Sequence, residues 1–204
     1  MALHLGSSPN LKVVLGEVLH SMTSKSLEDA IYVMNGPVTF NGTSDYIETG
    51  IKLGEVDRDY TILVDVADFL KTGSQCTILN YMNEISPYPG LVVRMSGAEI
   101  EATLGTGGKL FLTTGLNASP CRLAFVRDTT LNKYIGYWTI NGEIKSVVGS
   151  NAFHSSSQTL TIGSSKNASN TPWRFFKGTI NSFKLYDKVL SESRITKFLK
   201  GGSK

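Results

Sequence analysis

The chain has 204 residues, of which 41% are hydrophobic and 18% are charged, and its formal net charge at pH 7 is +3. This length suffices for one sandwich domain with a substantial core. No stretch approaches the roughly 18 consecutive apolar residues of a membrane-spanning helix, which argues against a membrane partner. The lysines and arginines are scattered and form no basic run interleaved with aromatic residues, so the sequence predicts no nucleic-acid partner.

The start of the chain forms a segment of its own. Residues 3–6 and 13–16 are similar units in which apolar residues lead to a glycine, and the turn sequence Ser-Ser-Pro-Asn separates them. This pattern predicts a β-hairpin. Two interpretations stay open: an extra edge of the main domain, or an attachment arm whose strand edges pair with a neighbouring subunit. We therefore divide the chain into an N-terminal segment at 1–25 and a main domain at 26–204.

The central sequence alternates short apolar runs with turn sequences, which is typical of many short β-strands. Asn141-Gly142 predicts a two-residue hairpin turn, and Trp138 just before it is expected to lie in the core. In the predicted strand at 60–66, alternate apolar residues share one face, which we expect to line the core between two sheets. These residues are Tyr60, Ile62, Val64 and Val66.

The C-terminal residues predict a strand that leads directly into a short helix. Ser191 is suited to cap the helix, and Glu192 lies where a negative charge favours the helix N-terminus. Gly201 favours termination of the helix. Apolar residues at helical spacing form the predicted inner face. They are Ile195, Phe198 and Leu199.

Six segments in chain order together resemble a laminin-G-like, concanavalin-A-like jelly-roll domain. The resemblance implies an all-β fold, a two-sheet antiparallel jelly-roll sandwich with a short C-terminal helix. Domains of this kind occur in laminins, pentraxins, bacterial surface proteins and bacteriophage virion proteins, so the resemblance specifies a fold better than a ligand. The segments are 38–50, 59–65, 121–127, 137–144, 160–163 and 178–195.

Three neighbouring carboxylates, Glu55, Asp57 and Asp59, are the best catalytic candidates in the sequence. Glucanases with this sandwich fold use a similar set of closely spaced carboxylates, and retaining hydrolysis needs two carboxyl groups roughly 5 Å apart. Here, however, the carboxylates precede the predicted strand and are expected in a loop. The sequence therefore predicts a protein that is not an enzyme, with a glucanase-like hydrolase as the least supported alternative.

No cofactor is predicted. The three histidines are scattered and show no metal-ligand spacing with cysteine or carboxylate, which argues against zinc. Relatives often bind calcium in rim loops, but the isolated aspartates of this chain form no calcium motif, so calcium stays open. Two cysteines in a chain without a visible secretion signal favour free core thiols over a disulfide. The residues concerned are His4, His20 and His154; Asp45, Asp128 and Asp187; and Cys76 and Cys121.

Two loops have the composition of a sugar-binding site, in which an aromatic ring stacks on a pyranose beside hydrogen-bonding groups. One loop spans residues 80–90 and the other spans 164–174. The alternative is that their aromatic rings fold back over the core edge. The candidate glycan ligands are Tyr81, Asn83 and Tyr88 in the first loop and Asn170, Trp173 and Arg174 in the second.

Two functions follow from these features. The first is a non-catalytic bacteriophage virion protein, a capsid or tail component whose N-terminal segment contacts other virion proteins and whose jelly roll binds host-surface glycan. The second is a carbohydrate-binding lectin domain of a bacterial surface protein, which is located at the cell surface or outside the cell. The sequence decides neither the glycan nor the oligomeric state, and homo-oligomerisation stays open.

Overall fold

The computed structural model describes residues 12–14, 30–70, 75–82, 90–96, 99–104, 108–113, 120–140, 142–149 and 155–201. The strands in these ranges are β1 (Lys12–Val14), β2 (Ala30–Asn41), β3 (Tyr46–Glu48), β4 (Tyr60–Phe69), β5 (Gln75–Asn80), β6 (Leu91–Ser96), β7 (Glu99–Leu104), β8 (Gly108–Thr113), β9 (Cys121–Asp128), β10 (Lys133–Ile140), β11 (Glu143–Gly149), β12 (Thr161–Ile162), β13 (Ser165–Lys166), β14 (Pro172–Trp173) and β15 (Lys177–Tyr186). Helix α1 spans Glu192–Leu199.

The strands form two large sheets and one small hairpin. The seven-stranded sheet has the order β1-β3-β12-β5-β6-β7-β8, the six-stranded sheet has the order β11-β10-β9-β4-β15-β2, and β13 pairs with β14. The pairings are antiparallel except for that of β1 with β3, which is parallel. The predicted two-sheet, all-β sandwich is confirmed.

The main apolar core lies between the two large sheets. The predicted inward face of β4 is confirmed, because its four alternate apolar residues all belong to this core. Trp138 on β10 is partly buried and packs against the same core, as expected. The turn after β10 has two residues, since Ile140 pairs with Glu143, and Gly142 within it has a φ of +79°.

Helix α1 covers the outer face of the six-stranded sheet. Ser191 accepts a hydrogen bond from the backbone N–H of Arg194 and caps the helix, as predicted. Ile195 and Leu199 are buried against Leu63 of β4, which points away from the main core. Burial of each such aliphatic side chain contributes roughly 1.5–3 kcal/mol. The sheet is therefore apolar on both faces where the helix packs.

Strand β1 lies at the edge of the seven-stranded sheet. The sequence predicted a strand at 13–16, and the structure has it at Lys12–Val14, where Val13 pairs with Ile47. Its predicted hairpin partner at 3–6 lies outside the described residues. The division of the chain at residue 25 and the role of the N-terminal segment remain predictions.

Both cysteines are buried thiols that are not joined in a disulfide, as the sequence favoured. Burial raises the pKa of the Cys121 thiol to about 12, which keeps it protonated and unreactive at neutral pH. Within the described ranges, no helix has the length and apolar character needed to cross a membrane.

Candidate functional site

Tyr81 was predicted as a glycan ligand, and the structure corrects this. Its side chain is only 2% exposed, and its hydroxyl lies 2.6 Å from the hydroxyl of Tyr60 inside the core. The register of β5 shifts between Thr77 and Leu79, so Ile78 and Leu79 both contact the core and the alternation is reversed beyond them. A sugar therefore has no access to the Tyr81 ring. The other two candidates of this loop, Asn83 and Tyr88, lie outside the described residues.

The second predicted loop forms the small hairpin β13–β14. Gly163, which follows β12, has a φ of +86°, and a Cβ at this position would lie 2.5 Å from ring atoms of Phe40. Glycine therefore allows the chain to turn out of the sheet against this ring. The backbone N–H of Gly163 donates to Ile78, and its carbonyl accepts from Phe176, where the chain returns. The hairpin between these points lies beside β5.

Arg174 lies against Trp173 at the end of this hairpin. The guanidinium carbon of Arg174 is 3.7 Å from the centre of the Trp173 ring, a cation–π contact. Arg174 has a φ of +52°, which is uncommon for a residue with a long side chain and costs of order 1 kcal/mol. Asn170, also at positive φ, is exposed near the tip. The structure thus brings together the three candidates of the second loop on one hairpin.

Side chains on the outer face of the seven-stranded sheet lie next to the hairpin. Thr77 donates its backbone N–H to the carbonyl of Arg174, and its hydroxyl lies 2.8 Å from that of Ser165. Across the sheet, Thr77 pairs with Arg94, which pairs in turn with Glu101. Arg94 donates to the Glu101 carboxylate at 2.9 Å. We call hairpin β13–β14, Ser164, Arg174, Thr77 and Arg94 the hairpin site.

Three buried polar atoms of the hairpin site have no hydrogen-bond partner: the Nε of Arg94, the Oγ of Ser164 and the Nε1 of Trp173. Such atoms are rare in native proteins and mark positions where a further partner would be favourable. Arg94 and Ser164 were not among the site residues predicted from the sequence. A signal for Arg94 existed, because it is a charged residue among four apolar residues of β6, at an outward position.

A different region holds the carboxylates that were weighed as catalytic candidates. Arg127, only 1% exposed, donates to both oxygens of Asp57, at 2.8 Å from Nε and 2.5 Å from Nη2. Its remaining N–H groups donate to Asn132 and to two backbone carbonyls. The pKa of Arg127 is raised, chiefly by its hydrogen bonds to Asp57.

The other two carboxylates have partners of their own. Asp59 accepts hydrogen bonds from the hydroxyl and backbone N–H of Thr129, and these bonds lower its pKa. Glu55 pairs with Lys52 at 2.6 Å. We call Asp57, Asp59, Arg127, Thr129 and Asn132 the Arg127 rim. Its carboxylates connect loops and strands within the fold.

Within the described part of the chain, no three histidine, cysteine, aspartate or glutamate residues are grouped so that they could hold a metal ion. The three histidines lie outside that part. Of the aspartates that left calcium open, Asp45 accepts from the backbone and side chain of Asn41, and Asp128 accepts from the backbone of Leu131. Both therefore shape turns.

Comparisons with known proteins extend the fold assignment. No family model matches the chain, and no curated protein is significantly similar to it in sequence. Solved structures with a similar fold include the Ruminococcus gnavus IT-sialidase CBM40 bound to α2,3 sialyllactose (TM-score 0.63, 13% identity, 83% of this chain and 99% of that one). Others are the NanB sialidase of Streptococcus pneumoniae (0.58, 16%, 82% and 28%) and a leech intramolecular trans-sialidase (0.61, 13%, 86% and 28%).

The chain therefore has a lectin-like β-sandwich fold, similar to that of carbohydrate-binding modules. It spans 28% of the length of the two sialidases but matches 99% of the isolated CBM40. At sequence identities of 13–16%, this similarity shows the fold alone.

Proposed function

We propose that this chain is a non-catalytic carbohydrate-binding module and that its ligand binds at the hairpin site. The observation that carries the proposal is the set of unpartnered polar atoms around the stacked Trp173 and Arg174. Sugars supply many hydrogen-bond acceptors and an apolar ring face, which suit N–H donors beside an indole. The fold supports this role, because the similar CBM40, 99% of whose length is matched by 83% of this chain, is bound to sialyllactose.

An acidic glycan fits this site better than a neutral one. Thr77 lies between Arg94, its partner on β6, and Arg174, whose carbonyl accepts the backbone N–H of Thr77. The backbones of the two arginines are therefore about 10 Å apart at the usual strand spacing. Guanidinium groups bind carboxylates through paired N–H donors. Sialyllactose, the ligand of the similar module, carries such a carboxylate and is therefore the first ligand to test.

The proposal is tested by calorimetric titration of the protein with 3′-sialyllactose and with lactose. We expect binding of the sialylated sugar, and at least a tenfold weaker affinity in Arg174→Ala and in Arg94→Leu. Lys145→Ala is the matched control, because Lys145 lies on the far edge strand β11 in an exposed pair with Glu143. The control should bind as the unmodified protein does.

Three results would contradict the proposal. Absence of binding to sialylated and neutral glycans across an array would reject carbohydrate binding. Binding that is unchanged in Arg174→Ala and Arg94→Leu would move the ligand to another surface. Release of reducing sugar from a β-glucan, abolished in Glu55→Gln or Asp57→Asn, would restore the hydrolase alternative.

The location of this module is a separate proposal. A virion component attached through residues 1–25 and a lectin domain of a bacterial surface protein both suit a glycan-binding sandwich, and the second agrees at least as well with the similar modules. Deletion of residues 1–21 tests whether the N-terminal segment is an attachment arm or an edge of the sandwich. If it is an arm, the melting temperature should be nearly unchanged and particle binding should be lost. If it is an integral edge, the deletion should destabilise the protein. A truncated protein that still joins particles would reject attachment through this segment.

A further inference from the structure

Lys166 is an unusual residue for its position. It lies on β13 with only 4% of its surface exposed, whereas lysine is almost never fully buried unless it is paired. Its Nζ lies 2.5 Å from an oxygen of Glu48 on β3 and 3.3 Å from the hydroxyl of Thr159. Thr159 donates to the same Glu48 oxygen at 2.8 Å. The ammonium group therefore links the hairpin to the edge region of the seven-stranded sheet.

The hairpin depends on such polar links because its own residues contribute nothing to the apolar cores. The two core clusters include Ile162 before it and Phe176 after it, but no residue between 163 and 175. Its attachments include the hydroxyl contact of Ser165 with Thr77, the backbone bond from Thr77 to Arg174, the bond from the Thr161 hydroxyl to the carbonyl of Ser164, and the ion pair of Lys166. Charge-assisted hydrogen bonds are roughly twice as strong as neutral ones, so the ion pair is the strongest link.

Lys166 is coupled directly to the ligand-binding strand. In the hairpin, Lys166 pairs with Pro172 and Ser165 pairs with Trp173. A hairpin fixed at Lys166 therefore fixes the backbone of β14, which carries Trp173 and leads directly into Arg174. Binding groups that are held in place before the ligand arrives bind it more tightly, because less conformational entropy is lost on binding.

We propose that Lys166 and Glu48 form a clamp that positions the hairpin for glycan binding. This inference rests on the proposed function for its effect on affinity, but the clamp itself is independent of any ligand. Lys166 is a positioning residue, since it acts through Trp173 and Arg174. Loss of the clamp releases the hairpin while the sandwich stays folded.

Hydrogen exchange tests the clamp without a ligand. In Lys166→Met we expect at least a tenfold faster exchange of the amides of Thr77 and Asn167, which bond to carbonyls of Arg174 and Thr171. The amide of Tyr81, which bonds to Leu91 in the sheet, should be unaffected. Lys52→Met is the matched control, because Lys52 and Glu55 form an ion pair of similar length, 2.6 Å, that is about half exposed. Unchanged hairpin exchange in Lys166→Met would overturn the clamp.

The affinity for 3′-sialyllactose tests the effect of the clamp on ligand binding. We expect at least tenfold weaker binding in Lys166→Met and no change in Lys52→Met. The double variant Lys166→Met/Glu48→Gln leaves no unpaired charge, so its melting temperature should recover while its affinity stays low. Recovery of affinity together with stability would show a merely structural role and overturn the proposal.

The failures of the two proposals are distinguishable. If the unmodified protein binds no glycan, the proposed function fails while the exchange result still decides the clamp. If Lys166→Met does not fold, Glu48→Gln provides the same exchange and affinity measurements, because it weakens the ion pair and keeps an acceptor for Thr159. Normal exchange and normal affinity in that variant would reject the clamp.

Discussion

The Arg127 rim and the hairpin site both bury an arginine's polar atoms, but they differ in how these atoms are satisfied. All three guanidinium nitrogens of Arg127 donate hydrogen bonds within the fold, to Asp57, Asn132 and two carbonyls. In the hairpin site the Nε of Arg94 is buried without an acceptor, as are the Oγ of Ser164 and the Nε1 of Trp173. A satisfied network stabilises the fold, whereas unmet donors are available to a ligand.

The same contrast applies to charge and strain. Both oxygens of the Asp57 carboxylate accept hydrogen bonds from Arg127, and the guanidinium carbon of Arg127 lies 4.5 Å from the centre of the Tyr134 ring. At the hairpin site, Arg174 adopts an unfavourable backbone conformation to lie over Trp173. Strain of this kind persists where the surrounding structure enforces it, and it is concentrated at binding sites. We therefore expect the rim to contribute to stability and the hairpin site, as proposed, to contribute to recognition.

The largest expected effect is at the rim. Asp57→Ala leaves Arg127 buried without its counter-charge, so we expect the free energy of unfolding to fall by about 3 kcal/mol. Glycan affinity should stay unchanged, because Asp57 lies on a different part of the sandwich. Urea unfolding and calorimetric titration measure the two quantities, with Glu55→Ala in the same loop as a control that changes stability by less than about 0.5 kcal/mol. A loss of affinity in folded Asp57→Ala would break the comparison.

A second variant separates binding from stability at the hairpin. Arg174→Gly relieves the positive φ, worth about 1 kcal/mol, and loses a cation–π contact of similar size, so stability should change little. Affinity for 3′-sialyllactose should fall at least tenfold, or about 1.4 kcal/mol. Thermal melting and titration check this. If Arg174→Gly melts far lower than the unmodified protein, Arg174 is a structural residue and the distinction between the two regions is lost.

Adjacent serines sharpen the comparison within the hairpin site. Ser165→Ala removes the contact with Thr77 and should cost about 1 kcal/mol, whereas Ser164→Ala removes a hydroxyl that has no partner and should be neutral or slightly stabilising. If the Ser164 hydroxyl contacts the ligand, its removal lowers affinity without lowering stability. Chemical unfolding of both variants decides the order. Equal destabilisation would show that the Ser164 hydroxyl is satisfied in solution.

The smallest expected effect is on the loss of stability at acidic pH. Hydrogen bonds from Thr129 hold the pKa of Asp59 below its usual value, so Asp59 contributes stability above about pH 4, and this contribution is lost as pH falls through the lowered pKa. Asp59→Asn should therefore flatten the decline in stability below about pH 4. Thr129→Val should flatten the same decline, because it removes the hydroxyl donor. A decline that persists unchanged in both variants would assign it to other carboxylates.

Some parts of the candidate site were predictable from the sequence, and others were not. Trp173, Arg174 and Asn170 could be proposed from the sequence because a polar, aromatic-containing loop between strands is visible as composition, and their role in binding remains a prediction. The prediction that Tyr81 binds glycan was wrong because a one-residue irregularity in β5 exchanges the two faces of the strand. The alternation of apolar residues in the sequence does not reveal this irregularity. Arg94 was missed because its importance comes from strands that are distant in sequence.

By itself the sequence determined the local structure of this protein. Alternating apolar residues fixed the core face of β4, Ser191 and Gly201 marked the ends of the C-terminal helix, and Asn141-Gly142 marked a tight turn, because short-range sterics and hydrogen bonds control each of these. Only the tertiary structure decided that Asp57 neutralises Arg127 and that Lys166 reaches Glu48, 118 positions away. Such pairs form because burial makes an unpaired charge costly, and the chain's path through two sheets determines which partner is near.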